Sequence, residues 1–463
     1  MEQILDVRDV SVEVKGKEGE GIPLLRHVSL ELREGETVCL VGESGSGKTL
    51  LAKTIMRLID YEQAEQTCGE VAFRHEPLHL KTAKQMQAIR GKEIAMIFQE
   101  PMSAFDPVFT IGRQIVETIR EHEDISKKEA KQKALDMLAK VKLPSPSLHF
   151  KQYPNELSGG MLQRAMIAMA LSCRPALLIA DEPTTALDVT VQADIMSLLK
   201  SLQNEYKMTL LMVTHDLSLA AEVSDRIVVM YAGKIVEIAD AKTLARKALH
   251  PYTSGLLKAS AVAQADPAYP LRTIPGSIPD PSNVPSGCAF QDRCAHATNK
   301  CRKEPQLTSV DQQHVACWHV DDAVQPLDEI AAEKNLKGNT LKSNEILYTA
   351  ENVKKVFSSK RARKTKIIAV NGVSVDIYKG ETFGLVGESG SGKSTLGRLL
   401  LQLEDQTEGT ILYDQINLRT LKNRQLRSYR KDIQIIFQDP YASLDPRWKA
   451  KDIVGEPLAS ISV

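Results

Sequence analysis

No stretch of this 463-residue chain approaches 18 consecutive apolar residues, so no helix of it is expected to span a membrane. Charge of one sign is not in excess: 59 Lys plus Arg balance 59 Asp plus Glu. That balance gives no sign of a strongly basic nucleic-acid binder or of an acidic tail protein. The opening residues lack an apolar core and carry charges at Glu2, Asp6, Arg8 and Asp9, so no secretory signal is expected there. Cysteine is sparse, seven in all, which excludes a disulfide scaffold. The expectation is an intracellular protein whose thiols are reduced or ligate metal. Apolar residues at 43% and charged residues at 25% match ordinary globular proteins and exclude wholesale disorder. Length alone suggests about three domains, or about two.

What the chain does have is a repeat. VGESGSGKT at Val41–Thr49 returns as VGESGSGKS at Val386–Ser394, and IFQEPMSAFDP at Ile97–Pro107 returns as IFQDPYASLDP at Ile436–Pro446. Same order and nearly the same spacing mean two copies of one nucleotide-binding unit. The first copy is expected over 1–255 and the second over 346–463, the second incomplete. Between them lie a Pro- and Cys-rich region, 256–320, and a polar linker, 321–345.

Gly42-Glu43-Ser44-Gly45-Ser46-Gly47-Lys48-Thr49 fits the phosphate-loop pattern G-x-x-x-x-G-K-[ST]. An apolar run that reads as a buried strand precedes it, and a segment of helical spacing follows. The glycines let backbone N–H groups turn inward around phosphates. Lys48 is placed to bridge the β- and γ-phosphates and Thr49 to ligate Mg²⁺. Gly387-Glu388-Ser389-Gly390-Ser391-Gly392-Lys393-Ser394, with Thr395 after it, repeats that cradle. The run ALLIADE delivers Asp181 at a strand end for Mg²⁺ and Glu182 to polarise an attacking water. TLLMVTHD is another buried strand, and His215 after it can hydrogen-bond a γ-phosphate oxygen or the water. Leu157-Ser158-Gly159-Gly160-Met161 opens a helix that Ser158 can cap, with glycines that admit a ligand. Each feature also has a plain structural reading: a capped helix, an acidic pair closing a strand, a packed histidine.

Phosphate loop, Gln99, LSGGM, LLIADE, Asp188 and His215, in that order, resemble an ATP-binding cassette (ABC) ATPase. The likeness is closest to the two ATPase subunits of bacterial oligopeptide/dipeptide importers, fused in tandem; HPYT at His250–Thr253 is similar to the segment that follows the cassette there. The resemblance implies an α/β fold of P-loop NTPase type: a RecA-like, mostly parallel sheet with an antiparallel β subdomain and a helical subdomain. It implies ATP and Mg²⁺, with Gln99 and, in the second copy, Ser394 and Gln438 at the metal. It implies that Ser158 and Gly160 touch the γ-phosphate of an opposing cassette, that Asp188 sits at the dimer seam, and that an insert near 105–156 docks a permease. Phe357 would stack on adenine in the second copy; Val14 takes that place in the first. Implied partners are two transmembrane permease subunits, a solute-binding protein and a second cassette, with no nucleic acid, at the cytoplasmic face of a bacterial inner membrane.

Cys288, Cys294, Cys301 and Cys317 lie within 30 residues, a donor set for Fe–S or tetrahedral Zn²⁺, or simply free thiols. The resemblance implies a [4Fe–4S] cluster. Cys39, Cys68 and Cys173 read as packing thiols, and the basic stretch Ser358–Lys366 as a solvated loop or a contact for anionic lipid. The expected function is the ATPase that energises import of peptides or related solutes such as glutathione or nickel complexes. The alternatives are a nucleotide-binding but catalytically impaired fragment, or a soluble tandem cassette protein acting on ribosomes or DNA.

Overall fold

The apolar runs named above become buried strands. In the computed structural model, which describes residues 2–16, 19–185, 187–260, 273–320, 344–358, 366–388, 390–421, 423–437 and 443–461, Thr37–Val41, Leu177–Asp181 and Thr209–Thr214 are buried at every position. The chain divides into two units, Met1–Asn335 and Leu336–Val463.

An eight-stranded sheet organises the first unit. Its order from edge to edge is Thr308–Val310, Gln313–Val315, Lys234–Asp240, Arg226–Tyr231, Thr37–Val41, Thr209–Thr214, Leu177–Asp181 and Ile94–Ile97. The last five strands run parallel, and the first three are added antiparallel. A parallel strand covered on both faces can be apolar throughout, which is why these runs do not alternate. Gln3–Lys15, Gly21–Arg33, Ala64–Phe73 and Glu76–Pro77 form a separate antiparallel sheet. Helices Ile111–His122, Lys127–Lys140 and Gly159–Leu171 pack a third layer. Among the described residues no helix is long and apolar enough to cross a membrane.

The expected boundary at residue 255 falls inside a helix, Pro251–Ser260. The buried Glu237 carboxylate accepts the N–H groups of Leu249 and His250 at 2.7 and 3.0 Å, which fixes the entry to that helix against the sheet. The hairpin Thr308–Val315 then extends the same sheet. The Cys-rich region and the first cassette thus form one body. The linker residues 321–343 and the basic residues 359–365 lie outside the described residues.

The second unit repeats the antiparallel sheet as Lys366–Tyr378, Ile346–Ser358 and Glu408–Tyr413. The likeness extends to irregularities. Asp9 and Asn352 both break register at positive φ, 52° and 48°. Gly69 and Gly409 face them, where a Cβ would lie 2.3 and 2.4 Å from a backbone oxygen. Helix Lys393–Leu400 packs on a small core of Ala350, Val353, Val370, Leu396, Leu399 and Ile411. A parallel sheet is not found among this unit's described residues. Glu381–Glu388 forms no strand, and Val386 is 90% exposed. The equivalent strand of the first unit, Thr37–Val41, has a hydrogen-bonded neighbour on each side; one strand alone leaves its ladder groups unpaired.

Candidate active site

In the first unit the parallel strands deliver their following loops to one edge of the sheet. The phosphate loop follows Thr37–Val41, Gln99 follows Ile94–Ile97, Asp181 and Glu182 close Leu177–Asp181, and His215 follows Thr209–Thr214. This is the edge where ligands bind in open α/β sheets. Gly47, at φ 102°, turns the loop into helix Lys48–Ile55, and its Cβ position would lie 2.8 Å from the Leu25 side chain. Lys48 is buried, and its ammonium donates to the carbonyls of Gly42 and Glu43 at 2.8 and 2.9 Å and to Ser46 Oγ at 3.3 Å. Burial lowers its pKa, and the Glu182, Asp181 and Glu43 carboxylates oppose that shift.

Thr49 Oγ1 donates to Asp181 Oδ1 at 3.0 Å. Asp181 is 2% exposed, and burial pushes its carboxyl above the usual range. A hydroxyl and a buried carboxylate in contact are the oxygen donors that a divalent cation takes. Glu182 sits beside them at φ 44°, a left-handed conformation rare outside glycine. Its N–H donates to Val213 O at 3.0 Å, tying the turn to the neighbouring strand. Its carboxylate accepts from Gln99 Nε2 at 3.0 Å and Thr185 Oγ1 at 2.8 Å, and meets His215 Nδ1 at 3.4 Å. Contact with His215 holds Glu182 down at about 2 and raises the His215 imidazole. Each partner therefore favours the other's ionised form.

The LSGGM segment lies on the N-terminus of Gly159–Leu171. Ser158 Oγ accepts the Met161 N–H at 3.4 Å, and Ser158 and Gly159 are exposed. Leu157 and Met161 are partly buried against the core, and Gly160 packs with 3.1 Å between its Cβ position and Val191. None of these residues lines the cavity at the phosphate loop. Gln163, one turn on, donates from its side chain to the Pro183 carbonyl at 2.6 Å, so the segment is linked to the residues after Glu182. Asp188 stands at the N-cap of helix Val189–Tyr206.

In the second unit, Lys393 Nζ donates to the Gly387 carbonyl, to Glu388 O at 2.7 Å and to Ser391 Oγ at 3.5 Å, repeating the Lys48 pattern. Gly390 and Gly392 take positive φ, and Ser394 and Thr395 lie in the first turn of the helix. Phe357 is 39% exposed, with Lys355 Nζ 4.9 Å from its ring centre. Ser389 and Gln438 lie outside the described residues.

Two residues without a role in the sequence reading hold the first phosphate loop. The Tyr252 hydroxyl accepts the Glu43 N–H at 2.7 Å, and Arg293 grips the Glu43 carboxylate. HPYT pointed to Tyr252 by resemblance, without the contact; nothing marks Arg293 in the sequence, because its partner is distant. The resulting cavity, about 380 Å³, is lined by the loop, Gln99, Glu182, Pro23 and Leu24, and by Ile278, Pro279, Pro281 and Val284.

The four cysteines of the following segment are free, with no disulfide. Cys301 is buried and the other three are half-buried. Burial pushes the Cys288 and Cys317 thiols up to about 11, with nearby thiols adding to the shift. Among the described residues no three of these sulfurs lie within 4.8 Å of one another; the one such trio of donors is Asp9, His27 and Cys68. Cys39 is buried and pushed up to about 12, as a packing thiol would be, and Cys173 is half-buried. Cys68 is exposed, contrary to that reading, because its strand Ala64–Phe73 has only intermediate and exposed positions over Ala64–Gly69.

The model of the ABC transporter family matches residues 25–185 and 370–457, and that of the oligopeptide/dipeptide transporter C-terminal region matches residues 236–301. The chain is 41% identical over 466 residues to the glutathione import ATP-binding protein GsiA of Salmonella typhimurium strain LT2, covering 98% of this chain and 68% of that protein. Against the protein of the same name from Escherichia coli O157:H7 the identity is 41% over 448 residues, 94% of this chain and 64% of that one. Among solved structures, a dimeric ATP-binding cassette bound to ADP and phosphate is 30% identical, with a TM-score of 0.47 over 51% of this chain and 99% of that one.

Proposed function

Because this chain belongs to the ABC transporter family of ATP-binding proteins, which work with ATP and Mg²⁺, we propose that its first unit hydrolyses ATP to drive import of a small peptide-like solute through a separate permease. The observation that carries this is the convergence of Lys48, Thr49, Gln99, Asp181, Glu182 and His215 at one edge of a parallel sheet. Lys48 and the loop N–H groups hold the β- and γ-phosphates. Thr49, Asp181 and Gln99 would hold Mg²⁺, which screens the phosphate charge. Glu182, ionised through its contact with His215, accepts a hydrogen bond from the attacking water and aligns it. His215 stands within reach of the γ-phosphate side as a donor.

The exposed start of the LSGGM helix is the donor surface for the γ-phosphate of a second cassette. The two copies of the nucleotide-binding unit read as cassettes in tandem, the second holding ATP through Lys393, Ser394 and Gln438. The permease docks beside the helical insert, where a cleft of about 450 Å³ is lined by Met96, Phe98, Glu117, Glu121, Met166 and Met169. A solute-binding protein delivers the solute on the far side, and the chain works at the cytoplasmic face of the membrane. Glutathione, named for the relatives, and short peptides define the solute class.

The cysteine segment suits a sulfur-ligated metal centre. Four converging thiols are an adequate donor set, but their spread exceeds the ~3.8 Å between thiolates around a single tetrahedral zinc with Zn–S near 2.3 Å. A [4Fe–4S] cluster, whose ligands sit farther apart, accommodates that spread better.

The deciding experiment is reconstitution of the chain with its permease in proteoliposomes. Solute uptake should require Mg²⁺ and ATP and should be lost in Lys48→Ala. A chain that instead co-purifies with ribosomes and ignores the permease would defeat the proposal.

A further inference from the structure

The cavity at the first phosphate loop has two unlike walls. One is the loop itself: Gly45, Gly47, Lys48 and Thr49. The other is apolar and comes from outside the cassette: Ile278, Pro279, Pro281 and Val284, facing Pro23 and Leu24. Among the side chains that the structure describes, none that lines the space is aromatic. Val14, where the second copy has Phe357, is paired in the sheet with Ile22 and Ala64 and does not line it either.

The apolar wall is held in place. Asp280 Oδ1 accepts from the Ser282 N–H at 2.8 Å and closes the short turn Pro281–Asn283, which packs on strand Gly21–Arg33. Before the turn, Arg293 Nε donates to Pro275 O at 2.8 Å. After it, the Cys288 N–H donates to Cys301 O at 2.8 Å. Proline adds its own fixed φ at Pro279 and Pro281. A wall fixed before the ligand arrives spends little ordering entropy on binding it.

A triphosphate seated on Lys48 projects its nucleoside away from the loop into this space. Its flat, weakly hydrated base is the part that gains from an apolar surface. We propose that Ile278–Val284, with Pro23 and Leu24, is the nucleobase-holding wall of the first ATP site and takes the place of aromatic stacking. The C-terminal region is thereby part of the nucleotide site and sets how strongly the base, as distinct from the phosphates, is bound. This rests on the reading of the cavity as an ATP site.

The test uses two ligands on the full chain, Mg·ATP and Mg·tripolyphosphate, measured by calorimetry. In the double variant Ile278→Ser, Val284→Ser, ATP should bind about tenfold more weakly, and tripolyphosphate, which has no base, should bind as before. Unchanged ATP affinity overturns the proposal. Equal weakening of both ligands also overturns it, since the segment would then act through the loop. Lys48→Ala separates the two readings: if it weakens neither ligand, the ATP site itself is misplaced. A readout that needs no variant is photolabelling with 8-azido-ATP. The label should fall in the peptide carrying Ile278–Val284; a label on the strand carrying Val14 would reject the wall.

Discussion

Arg293 and Glu43 form a two-pronged ion pair across 250 residues of sequence, with Nη1–Oε2 at 2.6 Å and Nη2–Oε1 at 2.9 Å. Glu43 belongs to the phosphate loop, and Arg293 is next to Cys294. The Arg293 side chain is 6% exposed, and Tyr231 and Phe290 flank its guanidinium at 5.7 and 5.8 Å. A fork-to-carboxylate contact fixes orientation as well as charge. Arg293→Ala should therefore let the loop relax and weaken ATP binding about fivefold to thirtyfold, ~1–2 kcal/mol, since the carboxylate is partly solvated. Arg293→Lys, with one prong, should fall between. A purely structural pair would lower the melting temperature and leave the dissociation constant alone, so both are measured.

Binding and chemistry should separate at Lys48 and Glu182. Lys48→Ala removes the charge on the β/γ oxygens and should weaken ATP by roughly 10–100-fold, the worth of a charge-assisted bond. Glu182→Gln keeps the shape beside Gln99 and Thr185 but not the charge that aligns water. It should leave ATP binding nearly unchanged and slow turnover by about 100-fold or more. Equilibrium nucleotide binding and phosphate release, measured side by side, check both. Parental turnover in both variants would mean the assigned site is wrong.

The parts legible in the sequence were those fixed by local pattern. TVCLV, LLIAD and TLLMVT announce buried parallel strands, and the residues just past them are the site, because parallel strands of one sheet share a carboxyl edge. Arg293, Tyr252 and the Ile278–Val284 wall were not legible as parts of the site. Arg293 and Tyr252 hold the loop, and the wall lines its cavity, across long sequence separations, and prolines with an isolated arginine read equally well as a linker. The boundary expected at residue 255 meets helix Pro251–Ser260 for a related reason. Helix Pro251–Ser260 is defined by the buried Glu237 that receives its first N–H groups, a partner no window around 255 contains.

His250 gives a pH prediction. It is fully buried, its Nδ1 accepts the Tyr252 N–H at 3.1 Å, and burial pulls its pKa down to about 3. The unfolded chain, with an ordinary imidazole near 6.5, binds a proton that the folded one refuses. Stability from this group is complete above about 6.5 and is lost as pH falls toward about 3. His250→Asn can still accept the Tyr252 N–H and has no proton to gain. It should flatten the loss of melting temperature between about pH 6.5 and 5 relative to the parent. Equal slopes in the two proteins would show that His250 is not the group responsible.

Metal content tests the cysteine segment, and the geometry sets what should be seen. Cys288, Cys294 and Cys317 sit with burial and nearby thiols disfavouring their ionised forms. A bound cation reverses that by stabilising thiolates, so metal binding should release protons and tighten the segment. Anaerobically purified protein should be brown and contain iron with acid-labile sulfide. If the four thiols hold a cluster, Cys301→Ser removes one of them from a buried position, and it should bleach the colour and lower the melting temperature. Because Arg293 is adjacent to Cys294 and holds Glu43, the bleached protein should also bind ATP more weakly, by a factor approaching that of Arg293→Ala. A colourless protein with one equivalent of zinc would replace the cluster with zinc. Bleaching without any change in ATP affinity would show that the phosphate loop is held by Arg293 and Tyr252 whether or not the thiols are ligated.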